Sequence, residues 1–423
     1  MARGPSILFV NQHYWPDVAA TGQMLTDLAE HLAADGFDVH VLTGSAHYAG
    51  GDVAAPRTET RAGVTIHRVQ TTAFGRGSHA GRLVDYLSFY LVVLARTVAG
   101  RRFDRVVLLT TPPLLGTVGA LARTLRGVRY GIWSMDLHPD AEEALGMLRP
   151  GRPWTRALHA LNTWGYRRAE FVVDLGRYMQ ARIAAKGVPA DRLHTIPVWN
   201  SADEVQPALR GASPMRTELG LDDAFVVMYS GNAGLAHRFD EVIEAMTLLR
   251  DRPDIAFVFV GGGPRRREIE AAVAADPGLR VHLLGYVPRE QLDEALALGD
   301  AHLLTLRTDM AGIAVPSKLF GIMAAGRPVL MVGPGASEPA EAIRAHDLGV
   351  VVEPGPGGGA ALADAIDRLA SDPDEVAAMG RRAREAFLDD YERDVCCAAW
   401  SRLMADELRL PAASDPVILS SAR

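Results

Sequence analysis

The chain has 423 residues, 48% hydrophobic and 22% charged, with a formal net charge of −7; these are ordinary globular proportions, and the length suits two or three domains. The negative charge, without any block of like-signed residues, gives no footing for nucleic-acid binding, and no apolar run approaches the roughly 18 residues that span a bilayer. The only cysteines, Cys396 and Cys397, are adjacent and cannot build a disulfide framework; with no signal peptide expected at 1–5, a reducing cytoplasm is the expected location.

In chain order, residues 6–10 are predicted as a strand and 11–22 as a long loop carrying Trp15-Pro16-Asp17. A helix is predicted at 23–34, with Leu25, Leu28, Ala29 and Leu32 on one face and Gly36 as its stop. Further strands are predicted at 37–42, 64–69, 105–109, 128–133 and 171–174, separated by helical patterns. That alternation predicts an α/β fold, a parallel sheet with helices on both faces and ligands beyond the carboxyl ends of the strands. The segments 11–22, 110–113 and 134–140 lie at those ends. The apolar stretch 86–95 is about half a membrane span and reads as a core helix before a lipid-contacting one. Residues 153–168 interleave Trp154, Leu158, Leu161 and Trp164 with Arg156, Arg167 and Arg168, next to Arg152. This suits either an anionic membrane surface or a helix packed on the sheet with snorkelling arginines.

The second half repeats the alternation, with strands predicted at 224–230, 255–260, 281–284, 302–306, 328–332 and 349–352. Between the halves, Pro197, Asn200, Pro207, Gly211 and Pro214 interrupt both periods across 196–221. Two doubly wound Rossmann-like domains facing a cleft are the expected architecture. Helices at 374–388 and 392–409 precede a polar tail, and disorder is expected over 412–423.

Two glycine-rich turns follow strands. Gly261-Gly262-Gly263-Pro264 lacks the third glycine of a dinucleotide fingerprint at the required spacing and reads as a tight turn. Gly231-Asn232-Ala233-Gly234 opens toward a helix with His237 and Arg238 in its first turn; its glycines permit close backbone approach, and Arg238 suits a phosphate, although a plain turn with a solvated arginine fits the same residues. The stretch 308–332 gathers more of this chemistry. Gly312 makes a turn, Pro316 opens a helix, and Leu319, Phe320, Ile322 and Met323 follow at helical spacing before Gly326 ends it. A helix start offers free N–H groups to a diphosphate. Lys318 adds a cation where cations are unfavourable unless an anion is present. Of the 44 basic residues only Lys186 and Lys318 are lysines, and lysine binds phosphate as a point charge without the geometric demands of a planar fork.

Taken together, several segments in this order resemble the family 4 (GT4) glycosyltransferases of the GT-B fold, in the manner of the bacterial capsule, O-antigen and colanic-acid-type branch. The carriers are 11–17 through Gly22, Asp136-Leu137-His138-Pro139, 196–200, 229–235, 284–288, Val315-Pro316-Ser317-Lys318 and 323–329, so the resemblance covers about residues 5–400. It implies a retaining transfer of a sugar from a nucleotide-diphosphate donor, UDP or GDP favoured, to a glycan or small-metabolite acceptor, with no other cofactor and no metal. It also implies an acceptor-side domain at 1–200, with 392–411 packing back on it, and a donor domain at 201–391.

Position by position, the resemblance puts Gly22 near the donor phosphates. Asn232 stands where most relatives carry a diphosphate arginine, and His237 or Arg238 where they carry a lysine, beside the backbone of Gly231, Ala233 and Gly234. Gly285, Tyr286 and Val287 match the backbone that reads the nucleobase. Gly312, Ala314, Pro316, Ser317, Lys318 and Leu319 form the diphosphate end. Lys318, Arg238, Asp136 and His138 are the candidate catalytic residues, and His13, Trp15 and Asp17 are candidates on the acceptor side. Many relatives carry two glutamates eight positions apart, toward the donor sugar and the ribose; here those positions hold Ile313 and Gly321. Asp309 is the nearest substitute for the sugar contact. Asp136 equally suits a helix cap, and His138 a satisfied polar neighbour. The net charge leans toward a soluble acceptor over a membrane-bound one. A nucleotide-sugar 2-epimerase-like isomerase and a noncatalytic nucleotide-sugar scaffold are the other readings; the sugar, base, acceptor and oligomeric state are left open.

Overall fold

The computed structural model describes residues 4–17, 19–45, 56–72, 74, 79–208, 213–288 and 291–409. Gly211 and the tail expected to be disordered lie outside the described residues. The first half contains β1 (Ser6–Val10), α1 (Ala20–Ala34), β2 (Asp38–Gly44), β3 (Thr58–Arg61), β4 (Val64–Val69) and α2 (His79–Ala99). It continues through β5 (Arg105–Leu109), α3 (Leu115–Arg126), β6 (Tyr130–Trp133), α4 (Asp140–Ala144), α5 (Pro153–Arg168), β7 (Val172–Asp174), α6 (Arg177–Ala185) and β8 (Leu193–Thr195). The second half begins with α7 (Pro214–Glu218), β9 (Phe225–Ser230), α8 (Asp240–Leu248), β10 (Ile255–Val260), α9 (Arg266–Ala275), β11 (Val281–Leu284) and α10 (Leu292–Leu296). Then come β12 (Ala301–Thr305), α11 (Lys318–Ala324), β13 (Val329–Val332), α12 (Glu338–Ala345), β14 (Gly349–Val352), α13 (Gly358–Ser371), α14 (Pro373–Ala386) and α15 (Arg393–Leu408).

The strands form two sheets, ordered β3-β4-β2-β1-β5-β6-β7-β8 and β11-β10-β9-β12-β13-β14. Every pairing is parallel except β3 with β4, where Glu59 lies opposite Ile66. Central strands such as β10 (IAFVFV) are buried at every position, as expected when helices cover both faces of a parallel sheet. β3 and β8 were not predicted. Thr58–Arg61 contains no apolar residue, so neither period marks it, and β8 (LHT) carries a single apolar residue and no fully buried one. α1 starts at Ala20, ahead of the predicted helix, without a side-chain cap.

One hydrophobic core joins the first sheet to Leu319, Phe320 and Met323 of α11 and to Phe387 and Trp400 near the carboxyl end. A second core lies between β9–β12 and helices α8 and α13. α15 returns to the first sheet, where the Trp400 ring lies 4.8 Å from Trp133 and Trp133 stacks 5.6 Å from Trp199. Buried Arg105 donates to the Glu407 carbonyl. The two chain crossings between the sheets are pinned to one another. Asn200 N–H donates to the Tyr391 carbonyl at 3.2 Å, Arg393 N–H donates to the Asn200 carbonyl at 2.9 Å, and Asn200 bridges Glu392. Among the described residues no helix is long and apolar enough to cross a membrane.

Candidate functional site

The carboxyl ends of β9 and β12 open into a cleft of ≈ 470 Å³, lined by Ser230, Gly231, Asn232 and His237 on one wall and by Ala314, Val315, Pro316, Ser317 and Lys318 on the other. Lys318, half-buried, is the first residue of α11. Its Nζ stands 3.8 Å over the Tyr229 ring and donates to Tyr229 Oη, which donates in turn to the Asn232 carbonyl at 3.2 Å. A Cβ at Gly231, whose φ is +113°, would lie 3.9 Å from Lys318 Nζ. Burial pushes the Lys318 ammonium down to a pKa of about 7, and no carboxylate among the described residues offsets that shift. α11 is only seven residues long, so its dipole is short and the charge of the site rests on Lys318.

His237 lines the same wall. Its Nδ1 donates to the Thr305 carbonyl at 2.6 Å; burial, together with the nearby Lys318 charge, pushes its pKa down to about 3. The imidazole is therefore neutral and adds no positive charge. Arg238 does not line the cleft. Its guanidinium pairs with Glu241 at 2.6 Å and Asp240 at 3.2 Å; α8 begins only at Asp240, so Arg238 lies before the helix and not in its first turn, and the carboxylates of that turn hold its charge.

The other expected donor residues divide. Ala233 N–H donates to the Gly262 carbonyl at 2.6 Å, which shapes the turn without lining the cleft, and Gly234 accepts from His237 N–H at 3.1 Å. Gly22 sits in the first turn of α1, where a Cβ would lie 3.2 Å from the His13 carbonyl; its smallness serves packing against that loop. Gly285, Tyr286 and Val287 stand outside the cleft lining, with exposed Tyr286 over Gly262. Asp309 pairs with Arg307 at 2.5 Å and is turned from the cavity. Gly312, at φ +66°, packs its backbone on Tyr178, and a Cβ there would lie 2.8 Å from the Tyr178 carbonyl. Buried Ile313 presents its carbonyl to Leu137 N–H at 2.9 Å. Leu319 is buried in the first core, where it borders a separate cleft beside α12.

On the first-sheet side, Asp136 bridges Ala314 directly, so it adjoins the donor wall. Burial raises its carboxyl pKa, with the His138 charge opposing. His138 Nδ1 lies 2.8 Å from Glu142 Oε1. Burial alone would lower the imidazole pKa, but the Glu142 hydrogen bond and charge, with Asp136, outweigh it and the net shift is upward. His13 contacts Asp17 at 2.8 Å, and the Arg61 guanidinium lies 4.7 Å from the Trp15 ring centroid. These contacts tie residues 13–17 to one another and to β3, and none of the three side chains lines the cleft. Among the described residues no three His, Cys, Asp or Glu side chains gather to hold a metal ion.

Asn200 is a cleft residue the sequence reading did not include among its candidates. It lines the cavity from the crossing between the sheets, and its Nδ2 lies 3.3 Å from where a Cβ at Gly321 would stand. Its amide thus occupies space beside Gly321, the position that the family resemblance matches to a second glutamate. His302, Leu292 and Leu296 line the deep end; no periodicity signal separates such residues from ordinary core.

These features describe two parallel-sheet α/β domains with a cleft at the carboxyl ends of their strands, and comparison with known proteins gives the class as glycosyltransferase. Residues 20–199 match the family described as Glycosyl transferase 4-like domain, and residues 214–386 match Glycosyl transferases group 1. The chain belongs to the GT4 glycosyltransferases of GT-B fold. It is 29% identical over 395 residues to WcaI of Escherichia coli K12, described as a colanic acid biosynthesis glycosyl transferase, covering 90% of this chain and 92% of the relative. It is 30% identical over 235 residues to the GDP-mannose-dependent alpha-(1-6)-phosphatidylinositol monomannoside mannosyltransferase of Mycolicibacterium smegmatis, covering 53% of this chain and 59% of that one. HepE of Anabaena, solved in complex with UDP, superposes with a TM-score of 0.70 at 17% identity, covering 95% of this chain and 100% of that one.

Proposed function

We propose that this glycosyltransferase is a cytoplasmic, retaining enzyme that holds a nucleoside diphosphate sugar with its diphosphate against Lys318 and the 231–234 turn. The observation that carries this reading is Lys318 itself, a half-buried ammonium that faces the cleft with its charge disfavoured by burial. A diphosphate restores that charge and offsets the desolvation. As the sugar–phosphate bond breaks, negative charge accumulates on the departing diphosphate, and a donor already aimed there lowers the barrier. With isoleucine at 313 and glycine at 321, neither position supplies a nucleophilic carboxylate, so the leaving phosphate takes the acceptor proton on the same face of the sugar and configuration is retained. Asp136, bridged to Ala314, accepts a hydrogen bond from the acceptor and positions it. Residues 1–200 with 392–411 form the acceptor side, and 201–391 the donor side.

UDP and GDP are the favoured donor bases: one relative is named for GDP-mannose and one structural neighbour holds UDP. The acceptor is a glycan or a small metabolite. Thermal unfolding of the wild type and Lys318→Ala with UDP, GDP, dTDP and ADP in turn tests the reading. At about 100 times its dissociation constant, the right diphosphate adds about 2.7 kcal/mol to the wild type and much less to the variant, whose turnover falls at least about tenfold. Unchanged turnover removes Lys318 from the mechanism, and an inverted product removes the same-face step. The missing glutamates favour a noncatalytic scaffold as the second reading, which predicts nucleotide binding with no glycoside formed.

A further inference from the structure

On one face of the first sheet, α3 lies between α2 and α5. Thr117 Oγ1 of α3 donates to the Leu161 carbonyl of α5 at 3.2 Å, and Gly116 meets Gly165 so closely that a Cβ on Gly165 would stand 2.6 Å from the Gly116 carbonyl carbon. Arg126 of α3 donates to the Gly100 carbonyl at 2.8 Å, just past the end of α2. The three helices therefore form one layer, and its outer face is apolar. α2 exposes Leu83, Val84, Leu87 and Leu91, the last at 69%. α3 exposes Leu121 and Leu125, and α5 exposes Leu161 and, at its start, Trp154 at 54%. These eight are over half of the fifteen exposed large hydrophobic side chains among the described residues. Singly exposed leucines need no explanation, but a patch gathered on one face does.

The charge of this layer opposes that of the whole chain. The three helices contain seven arginines and a single acidic residue, Asp85, which is buried and accepts from Phe74 N–H at 3.1 Å. Arg96, Arg156, Arg167 and Arg168 are exposed. A chain of net charge −7 has thus cleared exposed carboxylates from the helices on which it exposes most leucine.

We propose that the α2–α3–α5 face docks on an anionic membrane surface, leucines entering the headgroup–acyl boundary and arginines pairing with lipid phosphates. Charge complementarity selects this occupant. A symmetric second copy would set arginines against arginines, whereas an anionic leaflet meets both the apolar and the basic character of this layer. Trp154, with the Arg152 guanidinium 5.6 Å from its ring centroid, has the amphipathic character of an interfacial anchor. The face also adjoins the cleft. Tyr90 of α2 donates to the Pro113 carbonyl, and Thr110 of the same loop accepts from Asp136 N–H at 3.2 Å.

Co-sedimentation of the full chain with vesicles tests this independently of sugar transfer. The wild type is expected to sediment with phosphatidylcholine vesicles containing phosphatidylglycerol, to stay in solution with phosphatidylcholine alone, and to be released by salt. Arg156→Gln and Arg167→Gln should each weaken partition about fivefold. Leu87→Asp/Leu91→Asp should abolish it with an unchanged unfolding midpoint, and Leu121→Gln/Leu125→Gln should weaken it if the first pair fails to fold. Failure of the wild type to bind anionic vesicles, or full binding by both leucine variants, overturns the proposal. So does a wild-type dimer in light scattering that Leu87→Asp/Leu91→Asp dissociates, which would assign the face to a second copy.

Discussion

Lys318 and Lys186 are the only lysines in the chain, and their surroundings separate them. Lys186 meets Asp140 at 2.8 Å, an ordinary ion pair, while Lys318 has an aromatic face and a phenol oxygen beneath it. With a folded pKa of about 7 against the ordinary 10.5, the unfolded chain binds more protons between those values. The burial penalty is therefore full below about pH 7, and stability rises as pH climbs from there toward the unfolded value. Diphosphate binding has the opposite linkage, because the ligand raises the Lys318 pKa and binding takes up a proton. Calorimetry in buffers of differing ionisation enthalpy, about one pH unit above the free pKa, should register close to one proton taken up by the wild type and none by Lys318→Arg. No uptake in the wild type would detach Lys318 from the diphosphate. Lys318 was legible because a cation opening a helix needs a reason. Arg238, offered by the sequence either to a phosphate or to solvent, pairs with Asp240 and Glu241, because α8 begins only at Asp240 and leaves Arg238 in the turn before it. Asn200 was beyond reach, since its place in the cleft depends on where two chain crossings meet.

At the scale of elements, what was legible followed apolar runs, buried throughout in β1, β5 and β10 and half-buried in β11. β1, β4, β5, β10, β11, β14 and α5 fall at their predicted bounds because long apolar runs and clear periodicity mark them. Thr58–Arg61 escaped because an exposed edge strand needs no apolar alternation. The predicted helix ending near 388 stops at Ala386 and passes through a π-turn at Phe387–Tyr391, which no propensity announces. α15 was predicted as a helix, and its packing against Trp133 shows why it is held. Trp400 is fully buried, within 4.8 Å of Trp133, so Trp400→Ala should cost about 3–5 kcal/mol. Denaturant unfolding measures this, and a loss below about 1 kcal/mol would mean that α15 is an appendage to the first sheet and no part of its core.

For the whole molecule, two doubly wound domains were legible from the alternation of strands and helices, but their mutual placement was not, because it rests on hydrogen bonds to backbone carbonyls, one from a backbone N–H and two from arginine side chains, that no hydrophobic period encodes. Those bonds converge on the donor wall. Leu137 N–H reaches the Ile313 carbonyl at 2.9 Å, Arg182 Nε the Ala311 carbonyl at 2.9 Å, and Arg307 Nη2 the Ala144 carbonyl at 2.9 Å. They hold Asp136 against Ala314 and so bring the two sides of the proposed reaction together. Hydrogen bonds involving a charged group contribute roughly 1.5–3 kcal/mol, enough to shift an open–closed equilibrium by about tenfold or more. Arg182→Ala should therefore lower kcat/KM about tenfold or more with little change in thermal midpoint, and should enlarge the radius of gyration in solution scattering. The exposed pair Arg177–Glu341 also links the domains, at 2.5 Å with side chains 65% and 39% exposed. Solvent screening makes it weak, so Arg177→Ala should change kcat/KM by no more than about twofold. Equal effects from the two variants would mean that general charge attraction closes the cleft, and an unchanged Arg182→Ala enzyme would mean that the closed arrangement needs no help from the donor wall.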